Sequence, residues 1–255
     1  MKRALVTLSH PGHAGMLRAL RVLHDAAPTR GWDLHYAMSA CPPLVGKVGL
    51  PVDRVTVIPG LADWRRWRKL VALPNTLRRL DAAIEGADVL YSETLSTFPL
   101  CWLAGRRRGV PQVVHVYSSY GEPRPYRKHW LHRARHVVAP SRDSLRLASE
   151  AVGGFGSEVH GRVAYNGMDI DDIRARAAAA LPEALGIPPG PRLGMIGNLD
   201  WRKSPAVLIE AMPAILARVP DAQALLIGAF PTAAAESEAF DRIDALGIRA
   251  HMHTT

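Results

Sequence analysis

The sequence predicts an α/β protein with parallel sheets and helices on both sheet faces. Three observations lead there. Short apolar runs of strand length alternate with segments of helical period along the chain. Glycine, proline and Asn-Gly turns punctuate them. Hydrophobic residues make up 48% and charged residues 22% of the 255, which allows a sizeable core and argues against global disorder.

Residues 4–9 read as a buried strand, followed by a glycine-bearing turn. Residues 16–27 place Leu17, Leu20, Val22, Leu23 and Ala27 at helical spacing. Further strands are expected at 33–38, at 55–59 (closed by Pro59-Gly60), at 88–91, at 112–117 and at 136–139, where Pro140 stops the run. A second series opens with a strand at 162–165 and the turn Asn166-Gly167. Residues 181–191 form a Pro- and Gly-rich connection. Strands at 192–196 and 223–227 then bracket a helix at 204–219, which carries Pro213 in an awkward interior position. An amphipathic helix at 232–246 precedes the start of a last strand at 249–255. The expected domains are therefore 1–163 and 164–255. The second holds three strands against the roughly six of a full dinucleotide-type sheet, so it reads as incomplete.

Charge is unevenly spread. Residues 1–165 carry 24 Lys+Arg and 12 Asp+Glu, a net +12, whereas residues 166–255 carry 8 and 11, a net −3. A basic half fits an anionic membrane or an acidic substrate. No nucleic-acid motif accompanies the charge, so a nucleic-acid partner is not expected. Cys41 and Cys101 stand far apart and read as free thiols of a reducing compartment. The apolar run at 4–8 is too short for a signal peptide, and no segment approaches the roughly 20 apolar residues of a membrane span. The expected location is cytoplasmic, peripheral at the inner face of a membrane.

Five stretches have the residue types for binding or chemistry. Residues 9–15 end the first strand with Gly12 and Gly15, at a helix N-terminus suited to anions; a plain tight turn explains them equally. No GxGxxG is present, so no nicotinamide or flavin is expected. His115 closes the fifth strand, at the edge where open α/β sheets bind ligands. There it is either a hydrogen-bonding or acid–base imidazole or a satisfied core histidine. Gly197-Asn198-Leu199-Asp200-Trp201-Arg202-Lys203-Ser204 follows a strand and opens a helix. Cations gain nothing from a helix N-terminus, so Arg202 and Lys203 make sense there beside a polyanion, or else the loop is merely solvated. Trp64, Trp67 and Val71 share a helical face among Arg65, Arg66, Arg68 and Lys69, the pattern of interfacial membrane contact or of an inward-packed helix. His129, His132 and His136 lack a carboxylate or cysteine companion, so no metal site is expected.

In sequence order, Val163-Ala164-Tyr165-Asn166-Gly167-Met168-Asp169, then Ile196-Gly197-Asn198-Leu199-Asp200-Trp201-Arg202-Lys203-Ser204, then Leu208-Ile209-Glu210-Ala211 and Pro220-Asp221-Ala222-Gln223-Ala224-Leu225-Leu226-Ile227-Gly228 resemble the glycosyltransferase group 1 superfamily, the retaining family-four enzymes of GT-B fold. The resemblance spans nearly the whole chain and is strongest over 163–228. It implies an N-terminal Rossmann-like domain on the acceptor side and an incomplete Rossmann-like donor domain. Lys203 matches the family lysine on the donor diphosphate, Asn198 stands where the family has arginine, and Arg202 is a candidate substitute with Gly197 beside it. Gly12 and Gly15 match the cleft glycine turn. Gly109-Val110-Pro111 before His115 matches the context of the family histidine that contacts the donor sugar, which makes His115 the catalytic candidate.

The resemblance further implies transfer of a hexose from a UDP- or GDP-sugar to a lipid-linked or polysaccharide acceptor, as in cell-envelope polysaccharide biosynthesis, with retention and with no cofactor or metal. The family's Glu-x7-Glu segment falls beyond Thr255 in the usual order, so the chain resembles a C-terminally truncated member. An inactive remnant, a membrane-associated binding module and a sugar-nucleotide epimerase are the alternative readings.

Overall fold

A computed structural model describes residues 1–9, 14–62, 71–117, 120–179 and 186–254. The chain divides into two compact units, Met1–Ile170 and Asp171–Thr255. The segment 164–170, just past the expected boundary at 163, belongs with the first.

The first unit is built on seven strands: β1 (Lys2–Leu8), β2 (Trp32–Met38), β3 (Val55–Val57), β4 (Val89–Ser92), β5 (Gln112–His115), β6 (His136–Ala139) and β7 (His160–Val163). They lie in the order β3-β2-β1-β4-β5-β6-β7, and every neighbouring pair is parallel. The chain winds outward from β1 in one direction and then crosses back to continue from β4 in the other. Such a reversal opens a crevice at the carboxyl ends of the strands.

Alternation along β1 explains both covered faces. Ala4, Val6 and Leu8 pack with Met16, Leu17 and Leu20 of α1 (Ala14–Ala26). Leu5 packs on the other face with Leu80 and Ile84 of α3 (Leu73–Ile84) and with Leu100 and Ala104 of α4 (Phe98–Arg108). The short α2 (Pro43–Lys47) adds Val45 to the first cluster. A third cluster joins Val114 and Val137 of β5 and β6 to Tyr126 of α5 (Pro123–Lys128) and Ala148 of α6 (Arg142–Ala151). Full burial of each large side chain contributes roughly 1.5–3 kcal/mol.

Helix α6 begins where Ser141 accepts a hydrogen bond from the Ser144 amide at 3.0 Å. Ser141→Ala is expected to destabilise the first unit by ~1 kcal/mol, read as a lowered urea midpoint at unchanged slope.

The expected strand at 162–165 is corrected. It lies at His160–Val163 and closes the first sheet, pairing from His136↔His160 to Ala139↔Val163. Only Val163 of its four residues is partly buried, which suits an edge strand. An edge strand lacks the apolar run that marks its neighbours, so its start and its sheet were hard to read.

The second unit holds β8 (Arg192–Ile196), β9 (Gln223–Ile227) and β10 (Met252–Thr254), parallel in the order β10-β9-β8. It opens on α7 (Ile170–Ala179). Its core joins Ile209 and Met212 of α8 (Pro205–Leu216), Ala224 and Leu226 of β9, and Ile243 of α9 (Ala233–Ala245). Pro213 lies inside α8, where it removes the hydrogen bond that an N–H there would make to the Ile209 carbonyl.

Candidate functional site

The carboxyl ends of β4 and β5 gather a buried polar cluster in the first unit. Parallel register sets Tyr91 beside Val113 and Ser92 beside Val114, so the next residues on each strand, Glu93 and His115, come together. His115 is 5% exposed and Glu93 2%. His115 Nδ1 lies 2.9 Å from the Tyr91 hydroxyl and 3.2 Å from Glu93 Oε2. Tyr91 and Tyr117 both meet the imidazole edge-on, at centroid distances of 6.0 and 5.1 Å. The Tyr117 hydroxyl accepts a hydrogen bond of 3.1 Å from Asn166 Nδ2. His115 Nε2 is buried and has no hydrogen-bond partner among the described residues. Such orphans are rare in folded proteins and point to a partner beyond the described residues.

Electrostatics agree with the geometry. Burial, reinforced by the nearby Glu93 carboxylate, holds the Tyr91 hydroxyl well above the ordinary tyrosine range. The Tyr117 hydroxyl is raised for the same two reasons, against the opposing hydrogen bond from Asn166. Both phenols therefore stay neutral.

Behind this cluster the strand ends are pinned. The Glu93 amide donates to the Thr7 carbonyl at 3.0 Å, and the Ser9 amide to Thr94 Oγ1 at 3.2 Å. Thr7 Oγ1 meets Thr97 Oγ1 at 2.9 Å and Cys101 Sγ at 3.3 Å. Cys101 is fully buried and its thiol pKa is raised by burial, so it is an inert core group. Gly15 lies in the first turn of α1, where an added Cβ would meet open space. Gly12 lies outside the described residues, as do Trp64, Arg65, Arg66, Trp67, Arg68 and Lys69.

The second unit carries a candidate stretch of its own, the loop from β8 into α8. Gly197 has φ 135° and Gly228, at the end of β9, has φ 140°. A Cβ on Gly228 would lie 1.9 Å from the Gly197 carbonyl oxygen, so the two backbones touch. The ladder runs on past the strands through Gly197 N to Ile227 O and Leu199 N to Ala229 O, both 2.9 Å. The Lys203 stem lies across Gly197, its Cε 3.2 Å from where a Cβ would stand.

Sequence placed Arg202 and Lys203 together as free cations, and the structure separates them. Arg202 is folded back on Asp200, with its Nη2 2.6 Å and its Nε 3.1 Å from one carboxylate oxygen. Hydrogen bonds from Arg202 hold the Asp200 carboxyl below the usual range. Lys203 is exposed and has no carboxylate within ion-pair distance among the described residues. Asn198 is exposed beside it. Ser204 opens α8 in the left-handed region, at φ 52° and ψ 57°, with its hydroxyl turned back to donate to the Trp201 carbonyl at 2.8 Å. No side chain caps this helix start. A left-handed serine costs on the order of 1 kcal/mol or more.

Sequence reading did not single out Glu93, Tyr91 or Tyr117. A carboxylate directly after a buried parallel strand was the available signal. His129, His132 and His136 are spread over the end of α5, the turn at Leu131–Arg133 and β6. No group of three potential ligands suited to a metal occurs among the described residues. No helix among them is long and apolar enough to cross a membrane.

The family model for Glycosyltransferase Family 4 matches residues 14–172, more than half of the chain. D-inositol 3-phosphate glycosyltransferase 2 of Catenulispora acidiphila is 29% identical over 216 residues, which covers 74% of this chain and 48% of that protein. The chain thus spans about half the length of this curated relative. Among solved structures, Anabaena Alr3699/HepE in complex with UDP-glucose superposes with a TM-score of 0.73 at 20% identity, covering all of this chain and 69% of that one. A glycosyltransferase from Rickettsia africae gives 0.79 at 15%, covering all of this chain and 68% of that one. A UDP-N-acetylglucosamine 2-epimerase gives 0.57 at 12%, with the same coverage. These likenesses place the fold as GT-B. With the family match over more than half its length, the chain belongs to Glycosyltransferase Family 4.

Proposed function

We propose that the chain binds a UDP- or GDP-sugar and acts in transfer of its hexose, with retention, to a lipid-linked or polysaccharide acceptor. The carrying observation is the loop at Gly197–Lys203, where a lysine with no carboxylate partner among the described residues lies over a glycine backbone at a helix start that no side chain caps. A diphosphate satisfies these features together. It takes the charge of the ammonium whose stem crosses Gly197, and at the helix start it accepts from the Ala206 amide, since Pro205 has no N–H and the Val207 amide is bonded to the Ser204 carbonyl. In this reading Lys203 and the helix start stabilise the charge that grows on the leaving nucleoside diphosphate, without a metal. In the first unit, the buried Nε2 of His115 is read as a contact for a sugar hydroxyl. Family membership and the UDP-glucose complex of HepE support the donor class. The net +12 of residues 1–165 supports an acceptor met peripherally at an anionic membrane surface. Transfer is preferred to epimerisation because the family match covers more than half of the chain, whereas the epimerase likeness is one of fold.

The test is titration of the 255-residue chain with UDP-glucose and, separately, a GDP-hexose, followed by tryptophan fluorescence. Trp201 is 83% exposed on the loop and reports directly. Saturable binding of one of the two is expected, and binding of neither would overturn the donor reading. The double variant Asp200→Asn/Arg202→Gln removes a pair that already neutralises itself. Its affinity is expected to stay within roughly threefold of the parent, since exposed pairs contribute little. A large loss would show that Arg202 leaves Asp200 to hold the diphosphate.

A further inference from the structure

We propose that Glu93 is a positioning residue that holds His115 in its Nδ1–H tautomer, so that Nε2 offers a lone pair to a hydroxyl of the bound sugar. The proposal rests on the donor reading above and specifies what His115 does within it.

Three groups share one small volume. The Glu93 carboxylate, 2% exposed, sits 3.2 Å from His115 Nδ1. The Tyr91 hydroxyl sits 2.9 Å from the same nitrogen, and the nearby Glu93 carboxylate helps burial to raise its pKa. Two protons must be placed among them. With one proton on Nδ1, the ring donates to the carboxylate, which has no donor of its own when ionised, and the tyrosine oxygen keeps its own proton. The opposite tautomer sets the Nδ1 lone pair against the carboxylate in a water-poor site. That arrangement leaves the carboxylate short of a donor, and an unpaired buried charge is costly. The first arrangement is therefore favoured, and it settles the other ring nitrogen as an acceptor.

The ring is also fixed in direction. Tyr91 and Tyr117 flank it edge-on. The Glu93 amide is tied to Thr7 on β1, so the carboxylate is anchored at its own backbone. What remains is Nε2, buried and without a partner among the described residues. A lone pair in that state calls for a donor from outside the described residues. A sugar hydroxyl is such a donor, whereas a phosphate oxygen or a carbonyl is not.

The experiment is a long-range proton–nitrogen NMR spectrum of the 255-residue chain labelled in its histidines. The His115 resonances are assigned by their loss in His115→Gln. The expected spectrum has a protonated Nδ1 and an unprotonated Nε2. In Glu93→Met the carboxylate is gone and the Tyr91 hydroxyl is left to donate to Nδ1, so the ring proton is expected to move to Nε2. In Tyr91→Phe the tautomer is expected to stay as in the parent. A parent spectrum with the proton on Nε2 overturns the proposal, and so does a Glu93→Met spectrum that keeps it on Nδ1. If Glu93→Met does not fold, the parent and Tyr91→Phe spectra decide.

UDP-glucose added to the parent is expected to shift the Nε2 resonance. Glu93→Met is expected to weaken its binding roughly tenfold. If the expected tautomer is present but neither UDP-glucose nor the GDP-hexose moves Nε2, the donor reading fails while the role of Glu93 on the ring stands. The two failures are thereby told apart.

Discussion

Lys203→Met is expected to weaken UDP-glucose binding by roughly 10- to 100-fold while leaving stability unchanged within about 0.5 kcal/mol. Methionine keeps an unbranched stem over the Gly197 backbone and removes only the charge, so the variant isolates the ammonium group. The magnitude follows from a charge-assisted contact to a diphosphate, worth about 1.5–3 kcal/mol net. The small effect on stability follows from exposure and the lack of a carboxylate partner among the described residues. Calorimetric titration at fixed ionic strength checks the affinity, because screening moves such contacts. Urea unfolding checks the stability. Equal affinity for parent and variant would remove the loop from the donor site. A loss of affinity together with a lowered unfolding midpoint would point to structural damage instead.

The same loop shows where sequence reading ran out. Asp200 was visible two positions before Arg202, but only the folded turn brings its carboxylate to within 2.6 Å of the guanidinium. Once paired, Arg202 no longer supplies net charge, and Lys203 is left with that task. Period and punctuation were good guides wherever an element packs on a core. The strand at His136–Ala139 was expected at those residues, and α9 was expected within a residue at each end. They failed at β7, whose exposed His160, Gly161 and Arg162 carry no apolar signal. At the site, His115 could be found because a strand end is a local feature. Glu93 and Tyr91 could not be joined to it, since their meeting depends on β4 lying beside β5 in one register, a tertiary fact. The contact of Gly197 with Gly228 has the same origin. Each glycine alone reads as the close of a strand, and only the parallel pairing of β8 with β9 sets one against the other.

That contact carries the second large expectation. Gly228→Ala is expected to cost the second unit on the order of 3–5 kcal/mol. Two penalties add. At φ 140° an L side chain is strained whatever the space around it. Its Cβ would also fall 1.9 Å from the Gly197 carbonyl oxygen, and 2.8 Å from the carbon that bears it. The obstacle is backbone, so it cannot rotate away. Relief requires parting the extensions of β8 and β9, which breaks the bonds from Gly197 N to Ile227 O and from Leu199 N to Ala229 O. A three-stranded unit has little stability to lose, since small units bury a small share of their surface. Hydrogen exchange read peptide by peptide separates the units. Protection should collapse across Asp171–Thr255 and persist across Met1–Ile170, which has its own cores. Gly247→Ala is the control. It also has a left-handed φ, 66°, but an added Cβ there meets nothing within 4 Å, so its cost should be only about 1 kcal/mol. Equal protection in the two variants would mean that the backbones at Gly197 and Gly228 do not touch. The loop proposed to bind the diphosphate would then have no fixed support, because Gly197 meets the Lys203 stem on one side and Gly228 on the other.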